Sequence, residues 1–378
     1  MAAPRASPHG SRVGHSRTPD PGRRAGAPAW RARPLGATPR RVSSTARALV
    51  VGANGFLGSH VTRQLLAAGR AVRALVRAAS DTRAIDDLAV ERAIGDVLDP
   101  ASLGAAMDGC ATVFHCAVDT RAWLHDPAPL FRVNVDGLRN VIDTALAARV
   151  GRFVFTSSIV TIGRSARGGR ATEADEIAAD EDAPAYVRSR VAAERLLLAA
   201  CRERGLPGLA LCVGNTYGAG DWAPTPHGNL VRKAARGRML FSWDGGGPSV
   251  DVDDAARALL LAETRGRIGE RYIVAERWLT FRELLELAAR AGGARPPLWH
   301  VPTPLMEGGV RAIEAVARRL GVETTMTMAS LECSRRIPDM DAAKARAELG
   351  WTPRPVEAAI RDAVAFYAAG RRSAEAPG

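Results

Sequence analysis

The chain has 378 residues, 47% apolar and 24% charged, which suits one large or two modest domains and leaves no apolar run of about 18 residues to span a membrane. Its five cysteines (Cys110, Cys116, Cys201, Cys212, Cys333) are odd in number and form no CxxC pair, which argues against a disulfide framework or a metal site and for a reducing, cytoplasmic setting. The net charge of +12 does not point to nucleic acid, because residues 1–46 hold nine Arg against one acid, Asp20, and no basic stripe with interleaved aromatics follows.

Residues 1–46 are rich in Arg, Pro, Ala, Gly and Ser, lack any helical or strand period, and are expected to be a disordered tail. Their Arg- and Ser-rich, acid-poor composition would also suit a transit peptide, although the frequent prolines oppose an amphipathic helix. Arg40-Arg41 would suit a twin-arginine signal, but the apolar run behind it is too short.

From Arg47 onward, short apolar runs alternate with amphipathic stretches, the pattern of parallel βαβ units. Strands are expected at Ala48–Val51, Ala71–Val76, Thr112–His115, Phe153–Thr156 and Leu209–Cys212. Helices are expected over Leu57–Ala68, Asn134–Ala148 and Tyr186–Cys201, the last stopped by Gly205 and Pro207. A Pro/Gly-rich stretch, 218–248, breaks the alternation, and helical patterns return at 253–264, 280–291, 305–320 and 354–369. The expected architecture is α/β: a Rossmann-type, doubly wound parallel sheet over 47–215, a smaller mixed C-terminal lobe for substrate over 216–370, and a tail at 371–378.

The first strand runs into Gly52-Ala53-Asn54-Gly55-Phe56-Leu57-Gly58 and then a helix. Gly52 permits the tight turn, Gly55 lets the backbone approach a pyrophosphate, and Gly58 allows the helix to pack closely on the strand. The helix N-terminus then offers free N–H groups to the phosphates. With this GxxGxxG spacing, Gly95-Asp96-Val97, Phe114-His115-Cys116-Ala117 and Asn134-Val135-Asp136-Gly137, the chain resembles the extended short-chain dehydrogenases/reductases (the NAD-dependent epimerase/dehydratase family) over roughly residues 47–370. The resemblance implies a nicotinamide dinucleotide held by Gly52, Asn54, Gly55, Phe56, Leu57 and Gly58. Asp96 and Val97 would then lie at the adenine and Ala117 at the nicotinamide-side ribose.

An NAD enzyme usually carries an acid at the end of the second strand, where it accepts from the ribose hydroxyls. Here Val72-Arg73-Ala74-Leu75-Val76-Arg77 offers none, and the next acid is Asp81. Arg77 is suited to a bidentate pair with a 2′-phosphate, so NADP(H) is favoured over NAD(H). The lesser alternative, in so Arg-rich a chain, is that Arg77 is merely solvated.

Phe155-Thr156-Ser157-Ser158 ends a core strand, and strand C-terminal ends are where such sheets place chemistry. Further on, Tyr186-Val187-Arg188-Ser189-Arg190 opens a helix, with positions 186 and 190 one turn apart on one face. In the family it resembles, the Tyr is the general acid/base and a Ser hydrogen-bonds the substrate oxygen. A Lys four residues after the Tyr lowers its pKa and holds the nicotinamide ribose. Those roles carry over to Tyr186 and Ser158, with Ser157 the fallback, but the Lys position is occupied by Arg190. Arg keeps the charge and can bond ribose hydroxyls, yet it is larger, planar and unable to relay a proton. Two readings stay open: a working substitute in a chain whose only lysines are Lys233 and Lys344, or a decayed site that binds cofactor alone.

Val118 to Pro127, Asp221–Gly228 and Gly269–Val274 resemble the hopanoid-associated epimerase-like, dihydroflavonol-reductase-like and 3β-hydroxysteroid-dehydrogenase-like branches. Trp123, Thr161, Tyr217 and Trp222 are expected to line a partly aromatic substrate region, although the same residues would suit a core. Nucleotide-sugar members carry an Arg just before a VxD motif, which Gly247–Asp254 lacks. The expectation is an NADPH-dependent ketoreductase or alcohol dehydrogenase acting on a hydrophobic small molecule. The alternatives are a sugar or nucleotide-sugar epimerase or dehydratase, and a non-catalytic cofactor-binding regulator. The resemblance also implies a homodimer formed through the Tyr186–Cys201 helix.

Overall fold

The computed structural model describes residues 46–177 and 182–375, so the expected N-terminal tail lies, apart from Ala46, outside the described residues. In chain order the strands are β1 (Arg47–Val51), β2 (Val72–Val76), β3 (Glu91–Ile94), β4 (Cys110–His115), β5 (Arg152–Ser158), β6 (Gly208–Val213), β7 (Asn215–Tyr217), β8 (Phe241–Trp243), β9 (Gly246–Asp251), β10 (Arg271–Val274), β11 (Arg277–Thr280) and β12 (Trp299–Val301). Seven of them make one sheet in the order β10-β6-β5-β4-β1-β2-β3, with every neighbouring pair parallel.

Parallel strands are covered on both faces, which is why they read as near-continuous apolar runs. In β1, Ala48 and Val50 enter one core while Leu49 and Val51 enter the other, the two-residue period of a strand. Helices Phe56–Ala67 and Val252–Arg265 cover the first face through Val61, Leu65, Ala255 and Leu259. Helices Pro100–Met107, Leu138–Ala147 and Ala185–Arg204 cover the second through Leu103, Val141, Ala145, Ala193 and Leu197. This is the expected doubly wound α/β architecture. The strand order reverses between β1 and β4, so the loops leaving their C-terminal ends diverge and open a crevice there.

After β6 the chain builds a smaller mixed sheet, β11-β9-β7, and a two-stranded pair, β12-β8. A third core joins Tyr217 of β7 to Val231, Phe281, Leu284, Val356 and Ile360 from the helices Pro226–Ala235, Phe281–Ala291 and Val356–Glu375. The last of these helices continues five residues beyond 370, into the segment expected as a tail. The chain also returns to the large sheet through Val252–Arg265 and β10. Within 218–248, read as irregular, lie the helix Pro226–Ala235, β8 and the start of β9. The Gly246-Gly247-Pro248-Ser249 stretch has no apolar period, and its strand exists because β7 and β11 pair with it from either side. A Cβ on Gly246 would overlap the Leu279 carbonyl oxygen, so that close pairing requires glycine. No helix among the described residues is long and apolar enough to cross a membrane.

Candidate active site

Gly52 follows β1 at φ 80°, and a Cβ there would lie 2.8 Å from the Ala117 nitrogen beyond β4. Glycine therefore lets the two loops at the crevice pass this closely. A Cβ on Gly58 would overlap the Gly52 carbonyl oxygen, which accounts for the third glycine by helix–strand packing. Gly55 is different. A Cβ there would meet only the Gly52 carbonyl oxygen, at 3.3 Å, and would otherwise project into open space. Gly55 is also the N-cap of helix Phe56–Ala67, with no side-chain cap and no acid in the first turn. The first-turn N–H groups and the positive end of the helix dipole are thus left for an anion.

Arg77 leaves the end of β2 exposed and makes no ion pair among the described residues, whereas Asp81, the next acid along the chain, is held by Arg83 at 2.6 Å. The Ser80 N–H donates to the Arg77 carbonyl, and this turn sets Ser80 beside Arg77 on the same cavity wall. Asp96 accepts from the Leu98 N–H at 2.9 Å. Val97 touches the neighbouring helix closely enough that a Cβ on Gly137 would lie 2.7 Å from its Cγ2. Asn134, in a π-helical turn over Arg132–Gly137, accepts from the Asp119 N–H at 2.8 Å and donates to the Asp119 carbonyl at 3.0 Å and Ser189 Oγ at 3.1 Å. The Asn-Val-Asp-Gly motif therefore holds the loop after Ala117 in place and ties it to the helix that carries Tyr186. Such turns recur at functional sites.

Strand alternation separates the two serines at the end of β5. Ser157 is buried and donates to Glu194 Oε2 at 2.5 Å. Ser158 turns the other way, into hydrogen-bonding reach of the Tyr186 phenol. Burial pushes that phenol above its ordinary value, and the Arg190 charge and the Ser158 hydrogen bond pull it down. The Arg190 charge was expected to bring the phenol down; burial outweighs that charge, and the phenol stands above its ordinary value. Arg190 itself is 2% exposed. Its Nη2 donates to the Thr156 carbonyl at 2.7 Å, its guanidinium lies 5.2 Å from the Phe155 ring centroid, and its Nε finds no partner among the described residues. Burial lowers its pKa while Tyr186 and Glu194 raise it. His115, at the end of β4, is driven down to about 3 by burial and by Arg190, so it is neutral and no rival acid.

One cavity of about 1480 Å³ gathers these groups. Gly52, Asn54, Gly55, Phe56, Leu57, Gly58, Arg77, Asp96, Val97 and Ala117 line one part of it, and Ser158, Tyr186 and Arg190 line the part beyond. A nicotinamide dinucleotide fits the residues present: glycines where a side chain would fill the cleft, an uncapped helix N-terminus for the pyrophosphate, and an unpartnered buried Nε on Arg190.

The model of the NAD dependent epimerase/dehydratase family matches residues 48–275. The chain belongs to that family. The putative dihydroflavonol 4-reductase of Synechocystis sp. is 32% identical over 322 residues, 84% of this chain and 93% of that protein. Sterol demethylase protein B of Methylococcus capsulatus is 33% identical over 322 residues, 84% and 97% of the two chains. The crystal structure of gox2253 matches with a TM-score of 0.77 at 34% identity, covering 87% of this chain and 99% of that one. As a member of the epimerase/dehydratase family, the chain is an oxidoreductase of the NAD(P)-dependent kind that acts at hydroxyl or carbonyl groups.

Beyond Tyr186, the family cavity runs into the C-terminal lobe, and here the expected substrate residues need correction. Trp123 lines the cavity. Thr161 does not: it is buried behind the site, its single hydroxyl proton shared between the Ser158 carbonyl at 2.8 Å and Glu194 Oε2 at 3.0 Å. Tyr217 is buried in the lobe core against His227 and Ser249. Trp222 lies on the surface, stacked edge-on against Phe366 at 5.0 Å, with Arg83 over its ring. The walls are instead formed by Met239, Phe241, Trp243, Phe281, Met306 and Leu331. These come from elements far apart in sequence, and no spacing pattern could have collected them. Cys116 and Cys333 also line the cavity, but burial pushes their thiols up to about 11 and about 12, so neither is a thiolate at neutral pH.

Proposed function

We propose that this family member is an NADPH-dependent reductase of a hydrophobic carbonyl compound, running in reverse as an alcohol dehydrogenase. The observation that carries the reading is the union, in one cavity, of Ser158, Tyr186 and Arg190 with walls of Met239, Phe241, Trp243 and Phe281. Bound NADPH would supply the hydride to the carbonyl carbon. Tyr186, whose phenol is held in its protonated form by burial, donates the proton to the carbonyl oxygen, and Ser158 donates a hydrogen bond to the same oxygen. Arg190 stabilises the phenolate left behind and has an N–H to spare for a ribose hydroxyl. A sterol, named in one of the two relatives above, is a largely apolar ring system, and the dihydroflavonol named in the other carries aromatic rings that suit Phe241, Trp243 and Phe281.

Preference for NADPH rests on Arg77 and Ser80 at the end of β2, where no free acid stands to accept from a ribose 2′-hydroxyl. Calorimetric titration should give NADPH at least about tenfold tighter binding than NADH, the worth of one charge-assisted bidentate contact. Equal affinities would remove the preference. A screen of apolar ketones for NADPH oxidation tests the reaction. Turnover of a nucleotide sugar without net NADPH consumption would put an epimerase in its place.

A further inference from the structure

The helix Thr303–Leu320 is more apolar than the fold needs. Met306, Val310 and Ala317 are buried beneath it, and Met306 and Val310 form part of the cavity wall. Leu305, Ile313, Val316 and Leu320 fall on an adjacent arc of about 80° at 3.6 residues per turn and lie exposed. Glu307, Arg311, Glu314 and Arg318 occupy the opposite side, paired with one another. Exposed apolar residues also stand just before the helix in the chain. Leu240, Leu298 and Trp299 are more than half exposed and adjoin one another, because the Leu298 and Trp299 N–H groups both donate to the Leu240 carbonyl. Leu240 and Met326 are at once exposed and part of the cavity wall, so the cavity opens onto this apolar surface.

Cations border it. Lys233, Arg236 and Arg238 are exposed at the cavity rim, and the Arg236-Gly237-Arg238 turn packs beside Ala294, next in sequence to Arg295. Neither these four nor Arg319, at the end of the amphipathic helix, forms an ion pair among the described residues. An exposed apolar arc along more than four turns of one helix marks an interaction surface. An isologous contact with a second copy would gather two sets of these cations into one interface with no acid there to pair them among the described residues.

We propose that this face docks on an anionic phospholipid surface. Leu305, Ile313, Val316, Leu320 and Trp299 enter the headgroup boundary, the arginines meet lipid phosphates, and the cavity mouth opens toward the bilayer so that an apolar substrate passes in without crossing water.

Vesicle flotation with the full chain tests this. The protein should float with vesicles of phosphatidylcholine and phosphatidylglycerol, and much less with phosphatidylcholine alone or in high salt. Replacing Ile313, Val316 and Leu320 together by Glu should abolish flotation while leaving NADPH affinity, measured at the far end of the cavity, as in wild type. Replacing Arg236 and Arg295 by Ala should weaken partitioning to the anionic vesicles by about 25-fold, some fivefold per cation. Absence of flotation, or flotation indifferent to the Glu substitutions, would overturn the proposal. So would a wild-type dimer in sedimentation that the Glu substitutions turn into a monomer with no lipid binding in either form.

Discussion

Arg190 stands one helical turn beyond Tyr186, withdrawn from water, with one amino group on the Thr156 carbonyl and its plane over Phe155. A lysine there could reach the same carbonyl with a single point charge but would forgo the stacking. Arg190→Lys should therefore retain turnover, whereas Arg190→Met, without charge or donor, should lose it and weaken cofactor binding. Activity that appears only in Arg190→Lys would mark the native site as decayed. Tyr186→Phe should lower kcat by about a hundredfold or more with NADPH affinity nearly unchanged, the worth of a general acid. The pH profile follows from the phenol's upward displacement by burial. Reduction uses the protonated phenol, so its rate should be flat through neutral pH and fall only in the alkaline range. Oxidation of the alcohol uses the phenolate and should rise with pH. Steady-state profiles in both directions check the sign, and a reductive rate already falling below neutrality would dismiss Tyr186 as the acid.

At the scale of elements, the glycine turn and the catalytic helix are held by different devices. Gly58→Ala drives a methyl group into the Gly52 carbonyl, and it should cost about 2 kcal/mol of stability, the range of an overpacked core. Gly55→Val projects into the cleft instead, so its melting temperature should stay near wild type while NADPH binding disappears. Thermal melts with and without cofactor separate the two effects. The catalytic helix is anchored from beneath by Glu194, one turn beyond Arg190. It pairs with Arg271 of β10 at 2.8 Å and accepts from Ser157 and Thr161. Both partners of the ion pair are nearly sealed from water. Glu194→Gln leaves Arg271 buried without its counter-charge and should destabilise the protein by about 3 kcal/mol. That loss would appear as a lower denaturant midpoint at unchanged slope.

At the scale of the molecule, the cavity draws its walls from the crevice of the large sheet and from the C-terminal lobe together. A ligand there binds the folded chain and not the unfolded one. NADPH at a hundredfold excess over its Kd should add about 2.7 kcal/mol of apparent stability. The same addition should leave the melting temperature of Gly55→Val unmoved, and a full shift in that variant would mean that the nucleotide binds elsewhere. The net charge of +12, which the sequence places mostly in residues 1–46, takes on a second aspect in the folded chain. Lys233, Arg236 and Arg238, which make no ion pair among the described residues, stand at the cavity rim, with the segment that carries Arg295 packed beside them from some sixty residues further along the chain.

The sequence by itself determined what depends on neighbours along the chain. The β1–glycine–helix turn, the alternation that fills the parallel sheet, the Tyr186–Arg190 pair and the stop at Gly205 are all local geometry, set by backbone freedom and by periods of 2 and 3.6 residues. Each was legible because its physics is complete within a few residues. Only the tertiary structure decided the rest. It turned Ser158 toward Tyr186 and Ser157 away, took Thr161 into the Glu194 network, put Tyr217 in a core and left Trp222 outside. It also made a strand of Gly246–Asp251, which has no strand-like period, because β7 and β11 offered their free backbone groups on either side. The substrate walls and the apolar face at their mouth arise where segments far apart in sequence pack together, and pairwise contact between distant segments leaves no period for a sequence to display.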